Sequence, residues 1–459
     1  MANESQKPRE TTRAVVHSRS AHSKSAQKSR ILAPDIARGT ALLGIALANV
    51  STAWLPSPPG APAGQLGGIV HESVFEQIYA VFAAMFIHVR GLPMFSTLLG
   101  YGVGMVVYSL WRRQYPETAA RGVILRRYGF LAIFGIIHLA FLFWGDIMFF
   151  YGVAGMLFAL IMTAKDKVLW WIAGILATVY VVFMIGGYVV LPIVSDFSWE
   201  GESVDFSFTF ATWGEYFGFS LLMVPAQFAA VIVEVFMLGP VMIVGYLAAR
   251  HRVLSRVDEF RKELWIATGI FIAIAVCVGL PWGLAEIGVL PQESASMFYN
   301  LNQGVGALTG PGIVAAIALM VQPVQRKLDR GEITSLPWPL RMLAALGARS
   351  MSGYVGQSII FLLFTQAFTL GIGQNSGILG SAAVAIVVWL VTLLIAYGLD
   401  LAGKRGPFET MHRYAAYGKK GLQDPYQPKQ LPSSGYTPIP DASPLNQQST
   451  KPRDTHPNR

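Results

Sequence analysis

Long apolar runs separated by short polar segments dominate the chain between residues 31 and 401. A bilayer-spanning helix needs about 20 predominantly apolar residues, and about ten of the runs approach that length. Apolar side chains also recur at helical spacing over residues 74–89, which predicts an amphipathic helix at the membrane interface or extending the next span. The predicted spans are residues 36–55, 92–111, 127–144, 147–163, 168–194, a segment within 216–249, 264–284, 305–324, 351–370 and 378–401. The predicted fold class is all-α, a polytopic integral membrane helical bundle.

The composition supports a membrane protein with one embedded domain. Of the 459 residues, 53% are hydrophobic and 13% are charged, whereas soluble domains are about 25% charged. The single cysteine, Cys277, excludes an internal disulfide and a cysteine-based metal site. Residues 1–30 are polar and basic, and residues 419–459 are rich in Pro, Ser and Gln. We therefore predict disordered cytoplasmic tails at 1–30 and 419–459, on either side of a transmembrane domain at 31–418.

Basic residues are confined to alternate loops. The loops at 56–73, 195–215, 285–304 and 371–377 contain no Lys or Arg, whereas the intervening loops are all basic. Because Lys and Arg concentrate in cytoplasmic loops, this segregation predicts that both termini are cytoplasmic and that the number of spans is even. It also explains the net charge of +9 without a nucleic-acid partner. The predicted partner is the lipid bilayer, with the chain as a multi-pass protein of the cell (plasma) membrane.

The first predicted span carries charges near its start. Asp35 and Arg38 are three residues apart and so share one face of a helix, and Asn49 follows about three turns later. One interpretation is a signal-anchor helix with a charged flank at its cytoplasmic edge. The other is a polar site at the inner end of the first helix, since charges in a span normally face protein or water.

Further polar residues fall at membrane depth in the predicted topology. Each has two interpretations, because such residues mark functional pathways or form interhelical hydrogen bonds. We also expect Arg90 to pair with Asp146, since an unpaired buried charge is costly. No histidine spacing suggests a metal site. The candidate catalytic residues are His138, Asp146 and His88, and the candidate ligand-binding residues are Asp35, Arg38, Asn49, Arg90, Glu234, Tyr354 and Gln357.

Several sequence blocks resemble one family of membrane proteins. They are D-x-x-R-G at residues 35–39, FSTLLGYGVGM at 95–105, LRRYGFLAIFGIIHLAFLFWGDIMFFYGVAGM at 125–156, S-M-S-G-Y-x-x-Q-S at 350–358 and G-P-F-E at 406–409. Together they resemble the YeiB-like family, which is grouped under a domain of unknown function, over residues 30–418. The D-x-x-R-G signature is also similar to that of membrane acyltransferases of the heparan glucosaminide acetyltransferase type. That resemblance implies acyl-CoA as a cytoplasmic co-substrate and transfer of its acyl group to an acceptor.

Three functional hypotheses stay open on this basis. The first is a transmembrane acyltransferase that modifies an envelope glycan or lipid, with Arg38 on a cofactor phosphate and His138, ahead of His88, as general base. The second is a transporter or flippase for a small molecule or lipid, with a pathway lined by Asp146, Arg90, Glu234 and His138. The third is a structural or sensory membrane protein without turnover. No Walker loop, dinucleotide fingerprint or G-x-S-x-G elbow occurs in the sequence.

Overall fold

The computed structural model describes residues 30–55, 66, 73–190 and 210–427, and these parts of the chain contain helices and turns but no β-strand. Three short π-helical segments, Val50–Trp54, Gly186–Val190 and Ala275–Gly279, continue α1, α6 and α8. The helices are α1 (Ala33–Asn49), α2 (Val74–Phe86), α3 (Gly91–Arg112), α4 (Glu117–Phe141), α5 (Met148–Ile161), α6 (Asp166–Ile185), α7 (Trp213–Arg250), α8 (Arg261–Ile274), α9 (Leu280–Glu286), α10 (Ser294–Gly306), α11 (Thr309–Asp329), α12 (Trp338–Ala348), α13 (Ser350–Thr365), α14 (Gly377–Leu401) and α15 (Pro407–Tyr417).

Within the described residues, seven helical segments are long and apolar enough to cross a bilayer. They are α1 with its π-helical end, α2 together with α3, α4, α6, α7, α8 together with α9, and α14. An eighth is obtained if α10 and α11, which are bent by 66° at their junction, form one broken span. The shorter apolar helices α5 and α13 coincide with two further predicted spans. The all-α membrane bundle is thus confirmed, while the number of crossings and the side of the termini stay predictions.

Most helix boundaries follow the predicted apolar runs, although α4 begins at Glu117, ten residues before the predicted span at 127–144. Helix α2 leads into α3 through a four-residue turn, so the amphipathic segment at 74–89 extends the following span. Helix α7 continues through Pro225 and Pro240, which membrane helices tolerate better than soluble ones. The last residues of the predicted span at 168–194 and most of the loops at 56–73 and 195–215 lie outside the described residues.

Part of the predicted C-terminal tail, up to residue 427, packs on the bundle. The ring of Tyr426 lies 4.7 Å from that of Tyr115, and its backbone N–H donates to the Arg113 carbonyl at 3.0 Å. The backbone N–H of Gln423 donates to the Tyr115 hydroxyl at 2.9 Å. These contacts hold the segment against the end of α3. The rest of both predicted tails, residues 1–29 and 428–459, lies outside the described residues.

Helices α1 and α12 approach each other at backbone distance. A Cβ atom added to Gly347 would lie 1.7 Å from the Asp35 carbonyl oxygen, and one added to Gly39 would lie 2.4 Å from the Leu343 carbonyl oxygen. Small residues permit such close packing where no hydrophobic effect drives helices together in lipid. This contact fixes the charged start of α1 against the end of α12, where the first of two cavities lies.

Candidate functional site

A cavity of about 500 Å³ lies at the charged end of the bundle, between α1, α3, α4 and the segments that join α12 to α13 and α14 to α15. We name it the arginine cavity, because six arginines and three carboxylates line it, an excess of three positive charges. Three of these arginines are solvent-exposed, so the cavity is open at this end. The charged lining residues are Arg30, Arg38, Arg127, Arg349, Arg405, Arg413, Asp35, Asp400 and Glu409.

Helix α1 contributes the first wall through the predicted Asp35–Arg38 pair. Asp35 is buried, and its carboxylate lies 2.7 Å from the Arg30 guanidinium and 3.6 Å from that of Arg38. Arg38 also donates to the Leu98 carbonyl of α3 at 3.3 Å. Its guanidinium runs alongside Gly102, where a Cβ atom would be 3.4 Å from Arg38 Nη2. The pair is therefore a structured part of a cavity wall and not an exposed flank.

The opposite wall is formed by the segments around α13 and α15. Arg349 donates twice to the Lys404 carbonyl, at 2.6 and 3.1 Å, and lies 3.4 Å from Asp400. Glu409 on α15 accepts from the backbone N–H groups of Met351 and Ser352 at 2.8 and 3.0 Å. A carboxylate at a helix N-terminus satisfies donors that have no partner within the helix. This contact anchors α15 to the start of α13.

Deeper in the bundle the lining of the arginine cavity becomes apolar. Phe95 and Leu99 of α3, Leu131 of α4, and Met148 lie there. The cavity ends at Ile45, Ile147 and Tyr354, and the same three residues also line a second cavity of about 330 Å³. We name these three residues the shared wall. Two cavities are therefore separated by one layer of side chains.

The second cavity is polar but differs in charge, and we name it the carboxylate cavity. Asp146 and Glu234 line it, together with the amides of Asn49 and Gln303 and the ring of His88. No Arg or Lys is among its described lining residues. Glu234 accepts from the Gln227 amide, whose Nε2 lies 3.1 and 3.0 Å from the two carboxylate oxygens. His88 packs edge-on against Trp282 with ring centroids 5.7 Å apart.

A buried chain of polar groups lies behind the shared wall. His138 Nδ1 lies 2.8 Å from Asp146 Oδ1, and His138 Nε2 lies 2.9 Å from Ser358 Oγ. The second oxygen of Asp146 accepts from the Phe149 backbone N–H at 2.8 Å, which caps α5. The ring of His138 lies 5.1 Å from that of Tyr354. The imidazole thus has a hydroxyl on one nitrogen and a carboxylate oxygen close to the other, although the contact between Nδ1 and Oδ1 lacks hydrogen-bond geometry. These residue types are those of a base and its positioning groups.

The cavities bring together seven of the ten predicted site residues. The seven are Asp35 and Arg38 in the arginine cavity, Asn49, His88, Asp146 and Glu234 in the carboxylate cavity, and Tyr354 in both. His138 lines neither cavity but contacts Asp146 and Tyr354 directly. Gln357 also lines neither, and its amide donates to the Leu42 carbonyl at 3.4 Å, which joins α13 to α1.

The predicted Arg90–Asp146 pair is wrong. Arg90 is buried, and it donates to Asn302 Oδ1 at 2.7 Å and to the Met85 and Val89 carbonyls at 2.9 and 3.1 Å. Asp146 instead contacts His138. Charge pairing alone suggested the wrong partner, because a guanidinium has five N–H donors that neutral oxygens can also satisfy.

The structure adds site residues that the sequence interpretation did not select. Arg127 and Arg405 were interpreted only as positive-inside loop residues, and Arg349 and Arg413 were not selected. All four line the arginine cavity. Ser358 was regarded as interhelical polar packing, and it contacts His138. The sequence blocks at 350–358 and 406–409, which resemble the YeiB-like family, were the signal that could have indicated this side of the arginine cavity. Within the described residues, no group of three or more His, Cys, Asp or Glu side chains is arranged to hold a metal ion.

One histidine of the arginine cavity lies on α15, outside the spanning helices. Burial lowers the pKa of His412 to about 4, and the nearby Arg127 guanidinium contributes in the same direction. The ring is therefore neutral at pH 7, and its Nε2 lies 2.8 Å from the Arg127 carbonyl. His412 does not add to the positive charge of the cavity at neutral pH.

The fold and these cavities define the class of the protein, which is a polytopic helical membrane protein with two polar cavities that meet at a shared wall. Residues 248–419 match the family model described as "Protein of unknown function (DUF418)". The matched region includes α12, α13 and α15 and therefore one side of the arginine cavity. This match supports the resemblance to a YeiB-like family of unknown function.

Two relatives align over most of the chain. One is the "Uncharacterized 39.9 kDa protein in amylase 3'region" of Bacillus acidopullulyticus, which is 24% identical over 85% of this chain and 95% of its own length. The other is the "Uncharacterized protein YeiB" of Escherichia coli (strain K12), which is 24% identical over 83% of this chain and 94% of its own length. No solved structure matches the chain significantly.

Proposed function

We propose that this protein is a membrane acyltransferase, which moves an acyl group from acyl-CoA in the arginine cavity to a hydroxyl of an envelope glycan or lipid in the carboxylate cavity. The observation that carries the proposal is the shared wall, since Ile45, Ile147 and Tyr354 line both cavities. A donor and an acceptor that enter from opposite cavities would reach each other once the side chains of this single layer move aside, since the reacting atoms must approach to about 3–3.5 Å. Such positioning is a large part of catalysis in two-substrate reactions.

The charge of the arginine cavity supports an anionic donor. All three of its carboxylates have partners within the protein, because Asp35 and Asp400 each contact two arginines and Glu409 accepts from the start of α13. Arg405 and Arg413 are exposed, and neither has an ion-pair partner within the described residues. Guanidinium groups bind phosphates through paired hydrogen bonds. The phosphates of a CoA ester could therefore accept hydrogen bonds from these two unpaired guanidinium groups.

The proposed reaction needs a proton acceptor at the shared wall. The acceptor hydroxyl attacks the thioester carbonyl, a C–O bond forms, the C–S bond breaks, and CoA leaves as a thiol that takes up the hydroxyl proton. Asp146 lines the carboxylate cavity and contacts His138, so this pair supplies a base behind the wall. His88 is the competing base, since it lines the cavity itself. General base catalysis contributes about 10²–10⁴-fold.

The first experiment measures acyl-CoA binding to the full chain in nanodiscs. We expect saturable, salt-sensitive binding that weakens in Arg405→Ala and Arg413→Ala, because both variants remove exposed cations and leave no buried charge unpaired. Arg112→Ala is the matched control, since Arg112 is also exposed but lies outside the cavity. Absence of saturable binding, or equal weakening in the control, would overturn the proposal.

The second experiment follows transfer of a radiolabelled acyl group into the lipid and glycan fractions of membranes that contain the protein. We expect His138→Gln and Asp146→Asn to lower the transfer rate by about 10²–10⁴-fold with little change in acyl-CoA affinity. If His88→Gln has that effect and His138→Gln does not, the base is His88. No transfer to any membrane fraction would count against an acyltransferase.

A transporter is the second candidate, and a specific feature favours it. Two cavities stacked across a thin wall also resemble the two sides of an alternating-access pathway, and Glu234 supplies an ionisable group in one of them. This function predicts gradient-coupled flux of a small anion through proteoliposomes, and Glu234→Gln abolishes the flux. Flux that persists in this variant would exclude Glu234 from the coupling.

A further inference from the structure

On three helices, the residues that line the arginine cavity change from arginine at the mouth to apolar or aromatic further in. On α1, Ile45 follows Arg38 by seven residues, which corresponds to about 10 Å of helix. On α4, Leu131 follows Arg127 by about one turn. From the α12–α13 junction, Tyr354 follows Arg349 in the same way. In each case the arginine and the deeper apolar or aromatic residue both line the cavity. The cavity is therefore cationic at its mouth and apolar at its end.

The apolar end is larger than the shared wall alone. Phe95 and Leu99 of α3 are only partly buried although their neighbours Ser96 and Leu98 are fully buried, and both line the cavity. Phe95 also stacks on Tyr151 with ring centroids 5.6 Å apart. Binding of an apolar ligand group to this surface would be favourable, because it removes apolar area from water.

We infer that the apolar end of the arginine cavity binds the acyl chain of the donor, so that the protein prefers acyl-CoA esters of butyryl length or longer over acetyl-CoA. This inference rests on the proposed function and assigns its substrate class. An acetyl group would leave the surfaces of Phe95, Leu99 and Leu131 uncovered, whereas a longer chain would cover them. Leu99 is the specificity-determining residue in this inference, because it lines the cavity from α3 and is only partly buried.

The test compares CoA, acetyl-CoA, butyryl-CoA and hexanoyl-CoA binding to the full chain in nanodiscs. These chains are short enough to limit partitioning into the lipid. Burial of each methylene is expected to tighten binding by about fourfold, which corresponds to about 0.8 kcal/mol. Leu99→Phe fills the apolar end and should abolish the gain in affinity from CoA to hexanoyl-CoA, so the readout is the ratio of these two affinities within each variant. Leu125→Phe is the matched control, since Leu125 is exposed on α4 outside the cavity.

The outcomes separate this inference from the proposed function. Equal affinity for all four ligands would overturn the chain-binding inference and leave CoA recognition by the arginines intact. Absence of CoA binding in any form would overturn the proposed function itself. A hexanoyl lysophosphatidate that binds more tightly than hexanoyl-CoA would assign the cavity to an anionic lipid and also overturn the inference. A chain-length dependence that is lost in Leu99→Phe but kept in Leu125→Phe would support it.

Discussion

The contact between α1 and α12 allows a stability prediction from a single methyl group. In Gly347→Ala, the added Cβ atom would lie 1.7 Å from the Asp35 carbonyl oxygen and 2.5 Å from its carbonyl carbon. Ordinary van der Waals contact begins near 3.4 Å, so the helices must separate by more than an ångström. The obstacle is backbone, which cannot rotate away. Overpacking of this kind costs about 1–3 kcal/mol, and the better helix propensity of Ala returns about 0.5–1 kcal/mol.

We therefore expect Gly347→Ala to destabilise the protein by about 1–2 kcal/mol. The measurement is the unfolding midpoint in detergent, with acyl-CoA affinity as a second readout, because separation of the helices also moves Asp35 in the cavity wall. Gly174→Ala on α6 is the matched control, since no atom lies within 4 Å of its added Cβ. The control should be neutral or slightly stabilising. A Gly347→Ala protein as stable as the control would refute the close packing of α1 on α12.

Three further predictions concern single polar side chains. Stability should fall as pH drops from about 6.5 towards 4, because the folded pKa of His412, about 4, lies below its unfolded value; His412→Gln should flatten this part of the melting-temperature profile. Glu409→Gln should weaken the attachment of α15 to α13 by about 1–2 kcal/mol, which faster hydrogen exchange of the α15 amides would reveal. Asp258→Asn should change the free energy of unfolding by less than about 1 kcal/mol, because the Asp258–Arg326 pair is exposed. This holds even though the hydrogen bond to Arg326 lowers the pKa of the Asp258 carboxyl.

The helices of this protein were predictable because bilayer length constrains them. Within the described residues, most apolar runs of suitable length form helices, some with a π-helical end, and Asp35 and Arg38 share a helix face as their spacing required. The arginine cavity was not predictable from spacing. Its walls come from segments up to about 380 residues apart, and Arg405 and Arg413 have the same local sequence character as any positive-inside loop.

The partners of buried charges show the same limit. Arg90 was expected to need a carboxylate, but carbonyls and one amide satisfy it. Asp146 was expected to need a cation, but it contacts His138 and caps α5. Sequence separation indicates which charges lie at similar depth, whereas the choice among several partners depends on which helices touch. That choice is a property of the packed bundle.

The charged side chains that already have partners within the protein are less available to bind a ligand than those that have none. Deep in the bundle, Arg90 and Asp146 already have close partners, so a ligand there would have to displace existing contacts. At the mouth of the arginine cavity, Arg405 and Arg413 have no ion-pair partner within the described chain, and beyond the shared wall Glu234 has only an amide. The charged groups without an ion-pair partner are thus arginines on one side of the shared wall and the carboxyl group of Glu234 on the other. An anionic donor would be attracted to the arginine cavity and repelled from the carboxylate cavity, which can still admit a neutral acceptor. This separation favours group transfer across the wall over passage of one ion through both cavities.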